Sequence, residues 1–360
     1  MEFSYKFSAV KGNQANSEYF ICMIPLKLLG KIFIDVDYEV APEYRAQRKI
    51  NELRIPEIKR YILDNRDSYV FSALAASIDG EFVFHESSDG MGTGILEVSM
   101  DARFLINDGQ HRKAAILASL EEDESLKDET IPVVLFLDKG LSRSQQMFTD
   151  LNKHAVNTSK SLNALYDWKD RNSLLTKRLV NEIDFFKKYT DKEKDILGKF
   201  SSMLFTLNNI VNANVRIIKC DLDNEKIFSY MKKYWTKVIE NINEWNDLES
   251  RLITKKDLRE NYILTQGVTI LALGYLGEFF YSNPELNMDE YLVNLKKINW
   301  LRSNEKDWLG SAIKFNGKIN RTNAGINLTY LQIKKMIGIN LTKKEIQLLD
   351  ENKRGKKHGI

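Results

Sequence analysis

The chain has 360 residues, of which 43% are hydrophobic and 29% charged, and its formal net charge is +3. This length allows two packed units with full cores, and the nearly balanced charge does not by itself require a nucleic-acid partner. The sequence lacks both an apolar run of about 18 residues and a signal-like N-terminus, which predicts a cytoplasmic protein outside the membrane. Two cysteines, Cys22 and Cys220, are too few for a disulfide framework, and four histidines argue against a histidine-rich metal centre.

The N-terminal part alternates strand and helix signals. Prolines mark the starts of helices at Pro42 and Pro56, and a glycine-rich segment at 89–94 lacks the Lys-Ser/Thr ending of a phosphate loop, which favours a turn. A further helix is predicted to end near residue 122, and another covers 143–155. The strand signals are, in chain order, 1–40 (irregular, clearest at Tyr19–Ile24), 81–84, 94–98, 103–106 and 131–137. This alternation predicts an α/β domain with a mixed sheet.

Beyond about residue 165, strand signals almost vanish and helical periodicity takes over. The predicted helices are 174–189, 201–213, 225–245, 255–281, 288–300, 329–337 and 342–351. We therefore predict an α/β domain at 1–165 and an all-α domain with a basic C-terminal segment at 166–360. Four tryptophans of the second domain have helical core spacing, which favours burial over a base-stacking platform; they are Trp235, Trp245, Trp300 and Trp308.

One short sequence, Asp108-Gly-Gln-His-Arg112, lies where the strand at 103–106 gives way to a helix. The first N–H groups of a helix lack intrahelical partners and carry partial positive charge, so this turn is a candidate anion site. Gly109 permits a tight turn, Arg112 offers a fork of donors, and His111 offers a donor or a titrating group. Asp108 could orient Arg112, hold a metal-bound water or act as a base. A structural reading stays open, in which Asp108 caps the helix and Arg112 forms a surface ion pair.

Two basic regions are candidates for contacts with DNA phosphates. The first is formed by the helices between Arg45 and Arg60, and the second runs from Lys318 to Lys357. From Ile319 onward the chain has nine Lys or Arg and three acidic residues. A solvated, frayed C-terminus would account for the same excess. The candidate DNA-binding residues are Arg45, Arg48, Lys49, Lys318, Arg321, Lys334 and Lys335.

The block Met100–Arg112 resembles the DGQHR-domain family. Several other segments resemble the DndB family of DNA sulfur modification proteins; they are Arg54–Ile58, Tyr69–Leu74, Arg143–Phe148 and Asp150–Leu162. The likeness is strongest over residues 5–167. It implies an α/β domain similar to the ParB and sulfiredoxin superfamily, in which a turn at a helix start binds nucleotide phosphates.

This resemblance also implies residues for the site. The turn would supply Asp108, Gly109, Gln110, His111 and Arg112. A second box of that superfamily corresponds to Asp150, Asn152 and Lys153, and the pocket would be completed by Asn152, His154, Ser159 and Lys160. Helix capping is the alternative for Asn152 and Ser159. The implied cofactor is a nucleoside triphosphate with Mg²⁺, and the metal ligands stay open.

Two functions are compatible with these residues. The resemblance favours a regulator that binds double-stranded DNA in the promoter region of its own modification operon, in the company of other DNA sulfur modification proteins. A two-fold DNA site would make a homodimer natural. The alternative is a nucleotide hydrolase or DNA-nicking enzyme, in which Asp108, His111 and Arg112 are catalytic.

Overall fold

The computed structural model describes residues 3–33, 50–137, 146–147, 150–151, 158–218 and 223–355. The chain divides into two compact units, Met1–Val156 and Asn157–Ile360. The predicted boundary near residue 165 falls inside a helix, Lys160–Tyr166, that belongs to the second unit. No described helix is both long and apolar enough to cross a membrane.

A mixed sheet forms the first unit, as predicted, and in the described residues it has seven strands. Its strands are β1 Ser4–Gln14, β2 Ser17–Pro25, β3 Leu74–Asp79, β4 Phe82–Glu86, β5 Thr93–Ser99, β6 Arg103–Asp108 and β7 Thr130–Leu137. They lie in the order β4-β5-β1-β2-β7-β3-β6. Only the pair β3–β7 is parallel among these neighbours, and β3 is buried along most of its length. The helices are Leu29–Ile32, Ile55–Asp64 and Gln110–Leu120, with 3-10 turns at Leu26–Leu28, Glu52–Arg54 and Glu124–Asp128.

Ser4–Gln14 and Ser17–Pro25 form a hairpin, which confirms the predicted strand at Tyr19–Ile24, but the strands are regular and not irregular as predicted. Ala15 and Asn16 join β1 to β2 with φ angles of 51° and 58°, the left-handed conformation that a two-residue type I′ turn requires. Alternate residues of both strands are buried, among them Phe7 on β1 and Phe20 on β2. Cys22 is a buried free thiol, and burial raises its pKa to about 12.

The described residues of the second unit are mostly helical, but a short strand pair departs from the all-α prediction. Thr190–Asp191 and Phe205–Thr206 form a two-residue parallel pair, β8 and β9. The helices are Lys160–Tyr166, Arg171–Glu182, Asp184–Tyr189, Leu207–Ile217, Asn224–Glu240, Asn243–Glu249, Lys255–Asn261, Gly267–Ser282, Met288–Leu292, Glu305–Trp308, Asn323–Met336 and Lys343–Gly355, and Val293–Lys297 is a 3-10 helix.

Several long predicted helices are in fact two shorter ones. The segment 255–281 breaks because Tyr262 forms an isolated β-bridge with Leu301, and the Ile263 N–H donates to the carbonyl oxygen of Trp300 at 3.0 Å. Such tertiary pairing overrides local helical preference. The prediction of a tryptophan-rich core is confirmed, because Trp235, Trp245, Trp300 and Trp308 are all fully buried.

Candidate functional site

The predicted turn, Asp108–Arg112, begins at the last residue of β6. Gly109 is the N-cap of the helix Gln110–Leu120 and has a φ of 98°, a left-handed conformation that favours glycine. A Cβ atom at this position would lie 2.4 Å from Cδ2 of Leu74, so a larger residue here would also require the Leu74 side chain to shift. Among the residues that the structure describes, no side chain caps this helix. Asp108 therefore does not have the capping role that the structural reading gave it.

Arg112 is held by the protein itself. Its Nη1 atom donates to the carbonyl oxygen and hydroxyl of Ser72, both at 2.6 Å, and to the carbonyl oxygen of Ala73 at 2.9 Å. Its Nη2 atom donates to the Asp108 carboxylate at 2.6 Å. The Arg112 side chain is 17% exposed. The guanidinium thus fixes the segment before β3 to the turn, which is a positioning role.

His111 also contacts a neighbouring segment. The N–H of Asn51 donates to its Nε2 atom at 3.1 Å, and Asn51 is the N-cap of the 3-10 helix Glu52–Arg54. A ring nitrogen that accepts a hydrogen bond carries no proton, which assigns the proton of the neutral ring to Nδ1. Proton donation from Nε2 would therefore require this bond to break.

Two buried amides at the turn lack full hydrogen bonding. Gln110 is 8% exposed, and within the described ranges neither of its amide atoms has a hydrogen-bond partner. Asn107 is fully buried; its Nδ2 donates to the Ser77 hydroxyl at 2.6 Å, whereas its Oδ1 has no partner among the same residues. Buried polar groups are rarely left unsatisfied, so such atoms mark a place where a ligand could complete the bonding.

Asn107 is a functional candidate that the sequence reasoning missed. On β3, Ala75 is opposite Asp108 and Ala76 is opposite Ile106, so Asn107 is the extra residue of a β-bulge. A bulge of this kind turns a side chain out of the normal alternation and is common beside active sites. The available signal was an asparagine directly after the apolar residues Phe104, Leu105 and Ile106.

Of the second predicted box, the structure describes only Asp150, and Met147 nearby in the sequence contacts the residue before the turn. Nδ2 of Asn107 is 3.1 Å from the sulfur of Met147, and residues 146–147 and 150–151 are helical. Asp150 accepts a hydrogen bond from Gln146 at 2.7 Å. The remaining predicted residues of the box and pocket, Asn152, Lys153 and His154, lie outside the described residues.

Ser159 and Lys160 belong to the second unit, at the start of the helix Lys160–Tyr166. The Ser159 hydroxyl accepts from the Leu162 N–H at 3.0 Å, which confirms the capping alternative for this residue. The Lys160 N–H donates to the Asp195 carboxylate at 2.8 Å. A role for either residue in phosphate binding at the turn stays a prediction.

The predicted DNA-binding residues fall into three groups. Lys318, Arg321 and Lys335 are exposed. Arg45, Arg48 and Lys49 lie outside the described residues. Lys334 needs a correction: its side chain is 5% exposed, bonds Glu345 at 2.8 Å and lies 4.2 Å from the ring centre of Phe279. An inward-facing lysine that is paired in this way is not available to a DNA phosphate.

Lys334 is therefore expected to stabilise the folded protein instead of binding DNA. Partial burial alone would raise the pKa of Glu345, but hydrogen bonds from Lys334 and the Thr342 N–H outweigh it and lower that pKa below 4.5. A carboxylate with a lowered folded-state pKa stabilises the fold above its unfolded-state pKa, and this contribution is lost as pH falls through the folded value. Lys334→Met should lower the free energy of unfolding by about 2 kcal/mol at pH 7, and by less at an acid pH that protonates Glu345 in the folded protein.

Urea unfolding at the two pH values measures this difference. Lys335→Met is the matched control, because Lys335 is the exposed neighbour on the same helix, Asn323–Met336. It should change the free energy of unfolding by less than about 0.5 kcal/mol at either pH. Equal losses for the two variants would show that the Lys334–Glu345 pair does not stabilise the protein.

Comparison with known proteins places the chain in a family. Residues 7–340 match the family described as DndB, DNA-sulfur modification-associated. The chain is also similar to a tRNA dimethylallyltransferase of Mycoplasmoides gallisepticum (strain R(low / passage 15 / clone 2)), with 24% identity over 320 residues, which cover 88% of this chain and 90% of that protein. No solved structure matches the chain. Because the family match extends over most of its length, the chain belongs to the DndB family of DNA sulfur modification-associated proteins.

Proposed function

We propose that this protein is a DNA-binding regulator of a DNA sulfur modification system. It would bind double-stranded DNA in the promoter region of the modification operon, as a homodimer if the DNA site is two-fold symmetric, and act beside other proteins of the system. Family membership supports the biological setting. The observation that carries DNA binding is an exposed basic turn in the second unit.

We define this basic turn as residues 314–321. It lies within a longer segment, 308–344, that contains seven Lys or Arg and no acidic residue. Lys314, Lys318 and Arg321 are exposed, and none of them forms an ion pair with an acidic residue in the described part of the chain. Their charge is therefore available to a polyanion.

The backbone holds the basic turn in a compact form. The Lys314 N–H donates to the carbonyl oxygen of Lys318 at 2.8 Å, and Gly317 has a φ of 77°. The turn leads into the helix Asn323–Met336, whose N-cap is Thr322. Lysine side chains beside the positive end of a helix favour contacts with phosphate. Such contacts position a protein on DNA without reading its sequence.

Replacing both Lys314 and Lys318 with glutamine is expected to weaken binding of promoter DNA about tenfold and to lower the slope of log K against log salt by about 2, since each lysine neutralises one phosphate. Fluorescence anisotropy with a labelled duplex, repeated over a salt series, measures both quantities. The matched control is Lys226→Gln/Lys233→Gln, two exposed lysines on Asn224–Glu240. A salt slope that is the same in both double variants would rule out the basic turn as the DNA contact.

The turn at Asp108–Arg112 supports a second element of the proposal, a site for phosphate. The unpartnered amide of Gln110 and the first N–H groups of its helix fit a phosphate oxygen. Arg112 would position the turn instead of binding the ligand, because its donors are engaged with Ser72, Ala73 and Asp108.

The alternative function is a nucleotide hydrolase or DNA-nicking enzyme that uses a nucleoside triphosphate with Mg²⁺. The unsatisfied amides of Asn107 and Gln110 favour a ligand at the turn and keep this alternative open. The arrangement of the acidic residues fits Mg²⁺ less well, because the carboxylate of Asp108 bonds Arg112. The described ranges also contain no group of three or more His, Cys, Asp or Glu side chains placed to hold a metal ion.

A further inference from the structure

A polar cavity of about 560 Å³ lies within the second unit, and no residue of the Asp108–Arg112 turn lines it. We call it the helix-start cavity, because it lies where three helices begin. Its lining includes Asn208 and Asn209 at the start of Leu207–Ile217 and Gly267 and Val268 at the start of Gly267–Ser282. Arg321 lines it immediately before Thr322, the N-cap of Asn323–Met336.

The first residues of two of these helices line the cavity, so two positive helix ends face it. The third helix, Asn323–Met336, is capped by the Thr322 hydroxyl, which accepts from the Gly325 N–H at 3.1 Å. In Leu207–Ile217, the first N–H groups are already used: Asn208 donates to the Ser161 hydroxyl at 3.2 Å and Asn209 to the Thr206 hydroxyl at 3.3 Å. In Gly267–Ser282, by contrast, no side chain caps the helix. Its Thr269 and Ile270 N–H groups donate to the carbonyl oxygen of Gln266 at 3.0 and 3.2 Å, so the N–H groups of Gly267 and Val268 are the ones that an anion could complete.

The charged side chains around the helix-start cavity add to this positive field. They are Lys160, Arg259 and Arg321, against one carboxylate, Asp195. Asp195 is already bonded by the N–H groups of Lys160 and Ser161 at 2.8 and 2.9 Å. Arg259 donates only to backbone carbonyl oxygens in the described hydrogen bonds, among them those of Gly198 and Ser201, which leave its charge uncompensated.

An independent observation comes from Thr265, which also lines the helix-start cavity. It is 8% exposed, and its hydroxyl has no hydrogen-bond partner among the residues for which coordinates are described. A buried hydroxyl without a partner costs free energy in a fold that has no use for it. It lies beside the start of Gly267–Ser282, where a ligand in the cavity could bond it.

We propose that the helix-start cavity binds the phosphate groups of a nucleotide. Its volume is within the range of small-molecule sites, roughly 300–1,000 Å³. The phosphates would lie at the start of Gly267–Ser282, between Lys160 and Arg321. The amides of Asn208 and Asn209 offer hydrogen bonds to the remainder of the ligand, and Leu271 and Ile326 offer apolar surface.

Isothermal titration calorimetry of the full-length protein with ATP, pyrophosphate and adenosine tests this site. ATP and pyrophosphate should bind, whereas adenosine, which lacks phosphate, should bind at least tenfold more weakly. Lys160→Gln/Arg321→Gln should weaken ATP binding at least tenfold. The control Lys226→Gln/Lys233→Gln removes two exposed lysines that do not line the cavity and should leave ATP binding unchanged.

Thr265→Val separates a ligand contact from a structural role. This variant removes only the unpartnered hydroxyl, so thermal unfolding should occur at the same or a higher temperature while ATP affinity falls severalfold. A lower melting temperature with unchanged affinity would overturn the role of Thr265 in the site.

Further outcomes would overturn the whole assignment. These are the absence of ATP and pyrophosphate binding, ATP binding that is equal in the wild type and in Lys160→Gln/Arg321→Gln, and ATP binding that is lost only in Gln110→Leu. The last result would place the nucleotide at the Asp108–Arg112 turn. The proposed DNA contact is tested separately by Lys314→Gln/Lys318→Gln, because neither lysine lines the cavity. Arg321 belongs to both the basic turn and the cavity lining, so ATP binding and not DNA binding is the measurement for Lys160→Gln/Arg321→Gln.

Discussion

Arg112→Ala is expected to lower the free energy of unfolding of the first unit by about 2–3 kcal/mol, the cost of leaving partly buried acceptors without their donor. The substitution removes the bonds to Ser72, Ala73 and Asp108 at once. Arg112→Lys should recover only part of this loss, because an ammonium group cannot reproduce the planar fork. Far-UV circular dichroism in a urea titration measures the change.

The matched control for this prediction is Arg103→Ala. Arg103 is exposed on β6, the strand that leads into the turn, and its removal should cost less than about 0.5 kcal/mol. Tryptophan fluorescence is a second control, since all five tryptophans of the chain lie in the second unit. If Arg112→Ala is as stable as Arg103→Ala and yet loses a ligand, then Arg112 binds that ligand directly and the positioning role is wrong.

Loss of ligand binding in an Arg112 variant can arise without any contact between Arg112 and the ligand. A variant of Arg112 would disturb the orientation of Gln110 and Asn107 even if Arg112 never touches a ligand. Loss of DNA or nucleotide binding in Arg112→Ala is therefore not evidence for a catalytic arginine. Gln110→Leu is the more direct probe, because the Gln110 amide has no partner to lose among the described residues.

The strand, turn and helix around Gly109 could be predicted because their signals are local. An apolar run, a glycine and an amphipathic stretch follow one another within about twenty residues, and the structure has them in that order. The partner of Arg112 was harder to predict. One acceptor, Asp108, is one helical turn away, but the others belong to a segment 39 and 40 residues earlier in the chain.

Other features depend on contacts that a single sequence does not reveal. The first hairpin turns through Ala15-Asn16, which lacks the glycine that usually marks a type I′ turn. Lys334 is one of the nine Lys or Arg residues counted from Ile319 onward, yet its pairing with Glu345 and its packing on Phe279 place it inside the fold. Composition counts charges; it does not indicate which face of a helix carries them.

The helix-start cavity itself is a product of such long-range packing. Its walls come from segments near residues 160, 208, 267 and 321, which no motif connects. Two of the helices that begin there, Leu207–Ile217 and Gly267–Ser282, are in backbone contact at one position. A Cβ atom on Gly274 would lie 2.4 Å from the carbonyl oxygen of Ala213 and 2.7 Å from its Cα. Neither backbone atom can rotate away, so any side chain at residue 274 must separate the two helices.

Gly274→Ala is therefore expected to destabilise the second unit by about 3 kcal/mol, at the upper end of the cost of overpacking. Alanine favours a helix over glycine by about 1 kcal/mol, a gain too small to offset the clash. Tryptophan fluorescence in urea follows this unit, and Gly198→Ala, where a Cβ atom meets nothing within 4 Å, is the control. Because the same helices carry Asn209 and Gly267 into the cavity, Gly274→Ala should also weaken ATP binding. If the Gly274→Ala protein were as stable as wild type, the two backbones would not be in contact. The position of the cavity walls would then not depend on this contact.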